Sequence, residues 1–424
     1  MSDLADATII NQHLIDPEIC IRCNTCEATC PIGAITHDDL NYVVDASKCN
    51  GCMDCISPCP TGSIDNWRKV YKAQAYSVEE QLTWDELPEQ ADVEGDAVSL
   101  SEAVDTPTSG SDTSADGAGI VTAPVANLSA TTAPWSAAHP YTQLFGPKAN
   151  ETFIEAKVVG NHRVTEVGHD YDTHHIVLDF GDRAFPVLEG QSLGILPPGT
   201  DANGRAHHAR QYSIASPRDG ERAGYNNVSL TVKRVLENHA GEPVRGVASN
   251  HLCDAKVGDT VKVIGPFGSS FLMPNHANSH IVMICTGTGS APMRAMTEWR
   301  RRQVAKGVYE GGSLHLFFGA RSKAELPYFG PLQKLPADFI TTHFALSREP
   351  NQPKTYVQDR MREQAETLAK LITDPNAYFY VCGLKAMEDG VIAAMQDICK
   401  ANGIDWLATA AEMKRSGRLH LETY

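Results

Sequence analysis

Between Lys72 and Lys148 the chain contains no lysine and no arginine. The same stretch holds twelve acids, Glu79 to Asp116, which supply 12 of the 16 excess negative charges. The remainder therefore carries only about -4, and the acidity belongs to one segment. A phosphate backbone needs clustered Lys and Arg, so no nucleic-acid partner is expected. No run of about 18 apolar residues occurs, so no membrane span and no membrane partner are expected. The opening "MSDLADATII" has no basic leader before its apolar residues. It does not read as a secretory signal, and a cytoplasmic location is expected.

What is present divides the 424 residues into several units. "IDPEICIRCNTCEATCPIGAI" and "VDASKCNGCMDCISPCPTGSI" are two copies of one motif at a constant offset of 29 residues. They define a small α+β domain, expected over 1–77. The next segment, 78–139, is acidic and rich in Ala, Ser, Thr and Pro. It has few large apolar residues to offset its ordering entropy, so it reads as a disordered linker or as a loop packed on a neighbour. From 140 to 277, "TFIEAKVVGNHRVT", "THHIVLDF", "NVSLTVKRV" and "TVKVIGPFG" alternate in the manner of an antiparallel β-barrel. From 278 to 424, strands such as "HIVMIC", "SLHLFFGA" and "AYFYVCG" alternate with helices. That pattern predicts an α/β unit with a parallel sheet covered on both faces. A single helix is expected over 356–372, with Met361, Ala365, Leu368 and Leu371 on one side.

Eight of the twelve cysteines form two C-x2-C-x2-C-x3-C-P runs. Three thiolates on one tight loop converge on one face of a cubane cluster, and the fourth points to the other cluster. Cys20, Cys23, Cys26 and Cys59 are thus assigned to one [4Fe–4S] cluster, and Cys49, Cys52, Cys55 and Cys30 to a second. Disulfides suit a cytoplasmic chain poorly. Structural zinc normally shows two well-separated CxxC pairs. Cys253, Cys285 and Cys399 read as small buried hydrophobes.

"RQYSIAS" places Arg210, Tyr212 and Ser213 along one strand. Arg can neutralise a diphosphate, Tyr can lie flat on an isoalloxazine, and a Ser hydroxyl can reach a ring nitrogen. The pattern also occurs on ordinary strands. "GVASNHLC" opens a short helix whose backbone N–H groups suit a diphosphate. "EGQSLGILPPG", "RQYSIAS", "LTVKR", "GVASNHLC", "VGDTVKVIGPFG" and "TGTGSAPMR" occur in the order seen in plant-type ferredoxin–NADP+ reductases, which residues 150–424 resemble. The resemblance implies that Arg210, Tyr212 and Ser213 hold FAD. It likewise implies that Gly246, Val247, Ala248 and Ser249 hold its pyrophosphate.

"TGTGSAP" follows a strand and opens a helix. Thr286, Gly287, Thr288 and Gly289 let a nucleotide phosphate approach the backbone. No acid follows "LHLFFGA" to take a ribose hydroxyl. Ser347, Arg348, Lys354 and Tyr356 instead offer hydroxyls and positive charge suited to the 2′-phosphate of NADPH, with Gln358 beside them. An ordinary exposed helix start is the alternative. The resemblance further implies that Cys382, with Gly383, lies beside the nicotinamide and that Glu422 hydrogen-bonds near Ser213 and Cys382. It also implies that Tyr424 covers the flavin face which the nicotinamide must reach.

Together the parts predict an NADPH-dependent FAD/iron–sulfur oxidoreductase passing electrons to an external protein. The domain order resembles the reductase components of benzoyl-CoA 2,3-epoxidases, implying an oxygenase component as acceptor in aerobic aromatic degradation. Two alternatives stand beside it: an NADPH-forming ferredoxin reductase with its carrier fused on, and a redox-sensing module.

Overall fold

In the computed structural model, residues 8–93 are described apart from 19, 21, 23–25, 28–29, 39, 54, 57–58, 60–62 and 92. Residues 144–423 are described apart from 147–148, 150, 170, 202, 238–240, 276–277 and 310. Cys23, Tyr424 and the expected linker from 94 onward therefore lie outside the described residues.

The N-terminal unit, the head, has β1 (Ile9–Leu14), β2 (Ile35–His37), β3 (Tyr42–Val44) and β4 (Asn66–Tyr71). β1 pairs antiparallel with β4, and β2 with β3. Its core is small and includes Cys20, Cys26, Cys55 and Cys59 beside Ile15, Val44 and Ile64. So few buried side chains leave the unit dependent on its metal ligation. The expectation of a linker from residue 78 is corrected over 78–91. Ser77 caps α1 (Val78–Gln81), and the Gln81 side chain accepts from the Val44 N–H and donates to the Val44 carbonyl. The Asn41 amide then donates to the carbonyls of Leu82 and Trp84 at 3.1 and 2.8 Å. The segment is acidic, but its backbone polar groups find partners on the head.

The barrel follows as β5 (Ile154–Arg163), β6 (Thr173–Asp179), β7 (Ser192–Leu196), β8 (Arg210–Ser213), β9 (Asn227–Lys233), α2 (Val247–Asp254) and β10 (Thr260–Phe267). The strands run in the order β8-β7-β10-β5-β6-β9, all antiparallel. A bridge from Ile214 to Leu230 joins the two ends. Strand alternation sends Ile154, Ala156 and Val158 into the barrel core and leaves Glu155 and Lys157 exposed.

The C-terminal unit contains β11 (His280–Thr286), α3 (Ser290–Ala305), β12 (Leu314–Ala320), α4 (Phe329–Lys334), β13 (Ile340–Leu346), α5 (Val357–Glu363) and α6 (Ala365–Thr373). β14 (Ala377–Gly383), α7 (Lys385–Ala401), α8 (Trp406–Arg415) and β15 (Leu419–Thr423) complete it. Its five parallel strands run β13-β12-β11-β14-β15. One face packs on α5, α6 and α7, the other on α3 and α4. The strand order reverses about β11, and a crevice opens there at the carboxyl ends of β11 and β14. The single helix expected over 356–372 is corrected to two, because Gln364 leaves helical geometry at φ -104°, ψ 25°. Met361, Leu368 and Leu371 are still buried on one side.

A buried ion pair fastens barrel to sheet. Arg294 of α3 donates to both oxygens of Glu221, each at 2.8 Å, and Glu221 also accepts from Ser229 at 2.6 Å. Burial alone would push the Glu221 carboxyl up, but Arg294 and His175 hold it below the usual carboxylate range. Tyr328 adds hydrogen bonds to His175 (2.8 Å) and Thr231 (2.7 Å). Removing one member of such a pair strands the other charge. Arg294→Met should therefore cost about 3–5 kcal/mol of stability in holoprotein denaturation. Adding Glu221→Leu should recover most of that loss.

Candidate functional site

The structure arranges the cysteine loops as two groups. The thiols of Cys30, Cys49, Cys52 and Cys55 lie within electrostatic reach of one another, and burial together with these neighbours pushes the Cys55 thiol up to about 12. These are the four cysteines that the spacing groups together. The Cys30 sulfur accepts from the Ala34 N–H at 3.2 Å, and His13, stacked on Trp67, stands 4.0 Å from the Cys49 sulfur. Of the first set, Cys20, Cys26 and Cys59 are buried, and Cys59 approaches the Ser63 hydroxyl at 3.4 Å. Thiolates around a cubane are spread over its corners, wider than ligands around one ion. Among the described residues, which do not include Cys23, no group of three His, Cys, Asp or Glu side chains is placed to hold a metal ion.

The head rests on the other two units through charged contacts. Arg222, adjacent to Glu221, meets Asp65 at 3.2 Å and the Ile56 carbonyl at 3.4 Å. Arg301 of α3 reaches Glu18 at 3.6 Å and Asp16 at 3.8 Å. Lys334 of α4 binds the Leu40 carbonyl and the Asn41 side chain and feels the charge of Cys20. Burial, reinforced by Asp16, pushes the Glu18 carboxyl up to about 7 despite Arg301.

On the barrel, Tyr212 packs half-buried against the core, Ser213 ends β8, and Arg210 is exposed beside the His208 and Ala209 carbonyls. Gly246 caps α2, followed by Val247, Ala248 and Ser249. The Ser249 hydroxyl accepts from the Val235 N–H at 3.1 Å, so it braces the loop before the helix. A cleft of about 440 Å³ lies here, lined by Pro198, Arg245, Gly246, Val247, Asn250 and His251.

At the crevice, two glycines make the closest approaches. A Cβ on Gly289 would overlap the Cys382 carbonyl oxygen, and one on Gly383 would overlap the Thr286 hydroxyl. The turn Thr286, Gly287, Thr288, Gly289 is thus interlocked with Cys382 and Gly383. Cys382 pairs across the sheet with Cys285 on one side and Glu422 on the other. Burial pushes the Glu422 carboxyl up to about 7 and, with Glu422 nearby, the Cys382 thiol up to about 12. Glu388 is engaged by Lys385 at 2.7 Å and by Thr423.

Ser347 and Arg348 follow β13, and their N–H groups donate to the carbonyls of Ala320 and Arg321. Lys354 lies 5.0 Å from the ring centre of Tyr356, which caps α5, and Gln358 packs against Gly390. Several further residues face these groups. Arg321 and Ser322 follow β12, and the buried Ser322 hydroxyl has no hydrogen-bond partner. Ser290, the first residue of α3, has an unpartnered hydroxyl as well. Tyr171 lies against Gly287 and under Lys233, 3.6 Å from its ring centre. Lys233 is in the "LTVKR" run, but sequence reasoning gave it no role. Arg321 stands where only an acid was sought.

The chain matches three family models: a 4Fe-4S dicluster domain over 19–63, an oxidoreductase FAD-binding domain over 161–271, and an oxidoreductase NAD-binding domain over 283–392. It is 40% identical over 276 residues to the cyanelle ferredoxin–NADP reductase of Cyanophora paradoxa, covering 63% of this chain and 76% of that protein. The chain belongs to the ferredoxin–NADP reductase family. The ferredoxin–NADP reductase of Spirulina sp. is 38% identical over 277 residues, 63% of this chain and 94% of that protein. A ferredoxin–NADP+ reductase structure from Plasmodium falciparum shares the fold, with 24% identity and a TM-score of 0.51 over 64% of this chain and 97% of that one. The reductase module is thus the barrel and the parallel sheet, and the dicluster head is additional to it.

FAD, NADPH and [4Fe–4S] clusters are the groups this combination of domains serves. The residues present fit them: neighbouring thiols, an open cleft at the start of α2 with Arg245 on its rim and Asp254 and Asp259 also in its lining, and a glycine-lined turn with orphan hydroxyls. No helix among the described residues is long and apolar enough to cross a membrane.

Gly289→Ala would displace the turn from Cys382 by about an ångström, a shift worth about a hundredfold in rate. NADPH-dependent ferricyanide reduction should fall accordingly, with flavin absorbance and cluster EPR signals retained. Glu422 gives a second expectation. Folded, it holds its proton to about 7; unfolded, it releases it near 4.5. Stability therefore falls as pH rises through that window. Glu422→Gln should raise the holoenzyme Tm more at pH 8 than at pH 5.5.

Proposed function

We propose that this chain oxidises NADPH and delivers the two electrons singly, by way of FAD and two [4Fe–4S] clusters, to the oxygenase component of a benzoyl-CoA 2,3-epoxidase. The observation that supports passage of electrons through the head is its seating: Arg222 meets it at Ile56 and Asp65, Arg301 at Glu18, and Lys334 at Leu40 and Asn41. The epoxidase assignment is supported by the order of domains. When bound, FAD accepts hydride in one step and gives up electrons one at a time, which suits one-electron clusters.

The protein's own part is positioning. Tyr212 offers a flat, half-buried ring for the isoalloxazine, Ser213 a hydroxyl at its edge, and Arg210 a cation for the diphosphate. Gly246, Val247, Ala248 and Ser249 present the start of α2 to the same diphosphate. Thr286, Gly287, Thr288 and Gly289 receive the nicotinamide dinucleotide. Cys382 and a neutral Glu422 form an uncharged floor beneath the reacting ring, with Gly383 beside them. Tyr424 closes the opposite flavin face and yields to the nicotinamide. Ser347, Arg348, Lys354, Tyr356 and Gln358 select the 2′-phosphate. The eight cysteines, Cys23 included, hold the clusters.

Reconstitution with the oxygenase component, NADPH and O2 should turn over benzoyl-CoA, and no turnover would overturn the epoxidase assignment. Arg348→Ala should raise the KM for NADPH about tenfold and leave that for NADH unchanged, as loss of one charge-assisted contact requires.

A further inference from the structure

The two halves of the head are repeats, but their surroundings differ. In the first half, the loop from Asp16 to Arg22 lies against the reductase module. Asp16 and Glu18 meet Arg301, Cys20 is felt by Lys334, and Arg22 sits on Gly330. The offset of 29 residues maps that loop onto 45–51 of the second half. There Asp45 and Cys49 are half-buried and Ser47 is exposed; the module meets the second half further along, at Ile56 and Asp65, through Arg222.

The four cysteines behave likewise. Of the described cysteines of the first set, Cys20, Cys26 and Cys59 are buried; of the second set Cys52 is exposed, Cys30 and Cys49 are partly so, and Cys55 is buried. Two large apolar side chains flank this open set. Met53, between Cys52 and Cys55, is 58% exposed, and Ile32, two residues past Cys30, is 40% exposed. Met53 also holds a left-handed backbone, φ 66°, which turns it out of the loop. Its counterpart by the offset is Asn24, so the apolar tip belongs to the second half alone.

We propose that the face around Met53, Ile32 and Cys52 is where the protein electron acceptor docks, while Asp16, Glu18 and Arg22 of the first half are held by this chain's own reductase module. The occupant is a one-electron protein acceptor with an apolar centre and a rim of Lys and Arg. Its charge follows from the head, where residues 1–75 hold ten acids and five bases. The module's own contribution to its contact with the head is Arg222, Arg301 and Lys334. Exposed apolar side chains on a head with this excess of acids fit the centre-and-rim arrangement of protein interfaces, and the partly exposed carboxylates of Asp45 and Glu27, held by Lys48 and His37, belong to the same cysteine repeats. The balance is one NADPH oxidised to NADP+ with one proton released, and two acceptor molecules each reduced by one electron. The inference rests on outward delivery as proposed above, not on which oxygenase receives the electrons.

The test uses the full holoenzyme and cytochrome c, a basic one-electron acceptor, as probe. Ile32→Ser/Met53→Ser should raise the KM for cytochrome c about tenfold, the cost of losing an interface centre. Its calorimetric affinity should weaken equally. NADPH–ferricyanide activity and NADPH-reducible cluster EPR signals should equal the parent's. Val167→Ser, at an exposed apolar site on the barrel, should change nothing. An unchanged KM and affinity in the double variant, or an equal loss in Val167→Ser, would overturn the docking face. Absence of NADPH-reducible cluster signals in the parent would instead sink outward delivery itself. Should the double variant lose its clusters, carbodiimide coupling of the parent to cytochrome c decides the matter. Cross-links at Asp45 and Glu27 support the face, and cross-links confined to Asp16, Glu18 and Asp65 refute it.

Discussion

The contact on which the rest depends is the buried pair between Arg294 and Glu221. It joins a helix of the parallel sheet to the loop that leaves the flavin strand, so it sets the crevice between them. The residues beside it do more. Arg222 follows Glu221 directly and holds Asp65, and Arg301 lies two turns along α3 from Arg294 and holds Glu18 and Asp16. One desolvated ion pair thus fixes both the crevice between barrel and parallel sheet and the platform that receives the head. Such pairs specify geometry more than they add net stability. Here the specification extends to three units at once.

The crevice relies on a different constraint. Gly289 and Gly383 bring two backbone turns within contact, leaving no space for a side chain on either. Cys382 and Glu422 then stand in register on adjacent strands, both desolvated. A neutral thiol beside a carboxyl that keeps its proton to about 7 is a floor with hydrogen-bonding capacity and little charge.

Much of this was legible in the sequence, for definite reasons. The cysteine runs, "RQYSIAS" and "TGTGSAP" are local, and their chemistry follows from spacing. The barrel and the sheet follow from period and from the alternation of strands with helices. What escaped depends on partners far along the chain. Gln81 and Asn41 turned an acidic segment into part of the head, and no composition argument sees that. The break at Gln364 interrupts a pattern that is periodic across it. Arg222, Arg301 and Lys334 are ordinary surface cations until the fold sets them opposite Asp65, Glu18 and Asn41. Arg321, Ser322, Lys233 and Tyr171 come from three separate strands and loops, so only the fold assembles them.

The contacts under the head are few, polar and at the rim, each of a kind worth little between separate proteins. They need not be strong. Head and module belong to one chain, joined through residues 94–143, so their meeting is unimolecular and its equilibrium is set by an effective local concentration rather than by protein concentration. A contact too weak to survive dilution as two proteins can remain occupied here. Yet it stays weak enough to open, and ionic strength will act on it through the part of Arg222, Arg301 and Lys334 that water still reaches, less than it would on fully exposed pairs.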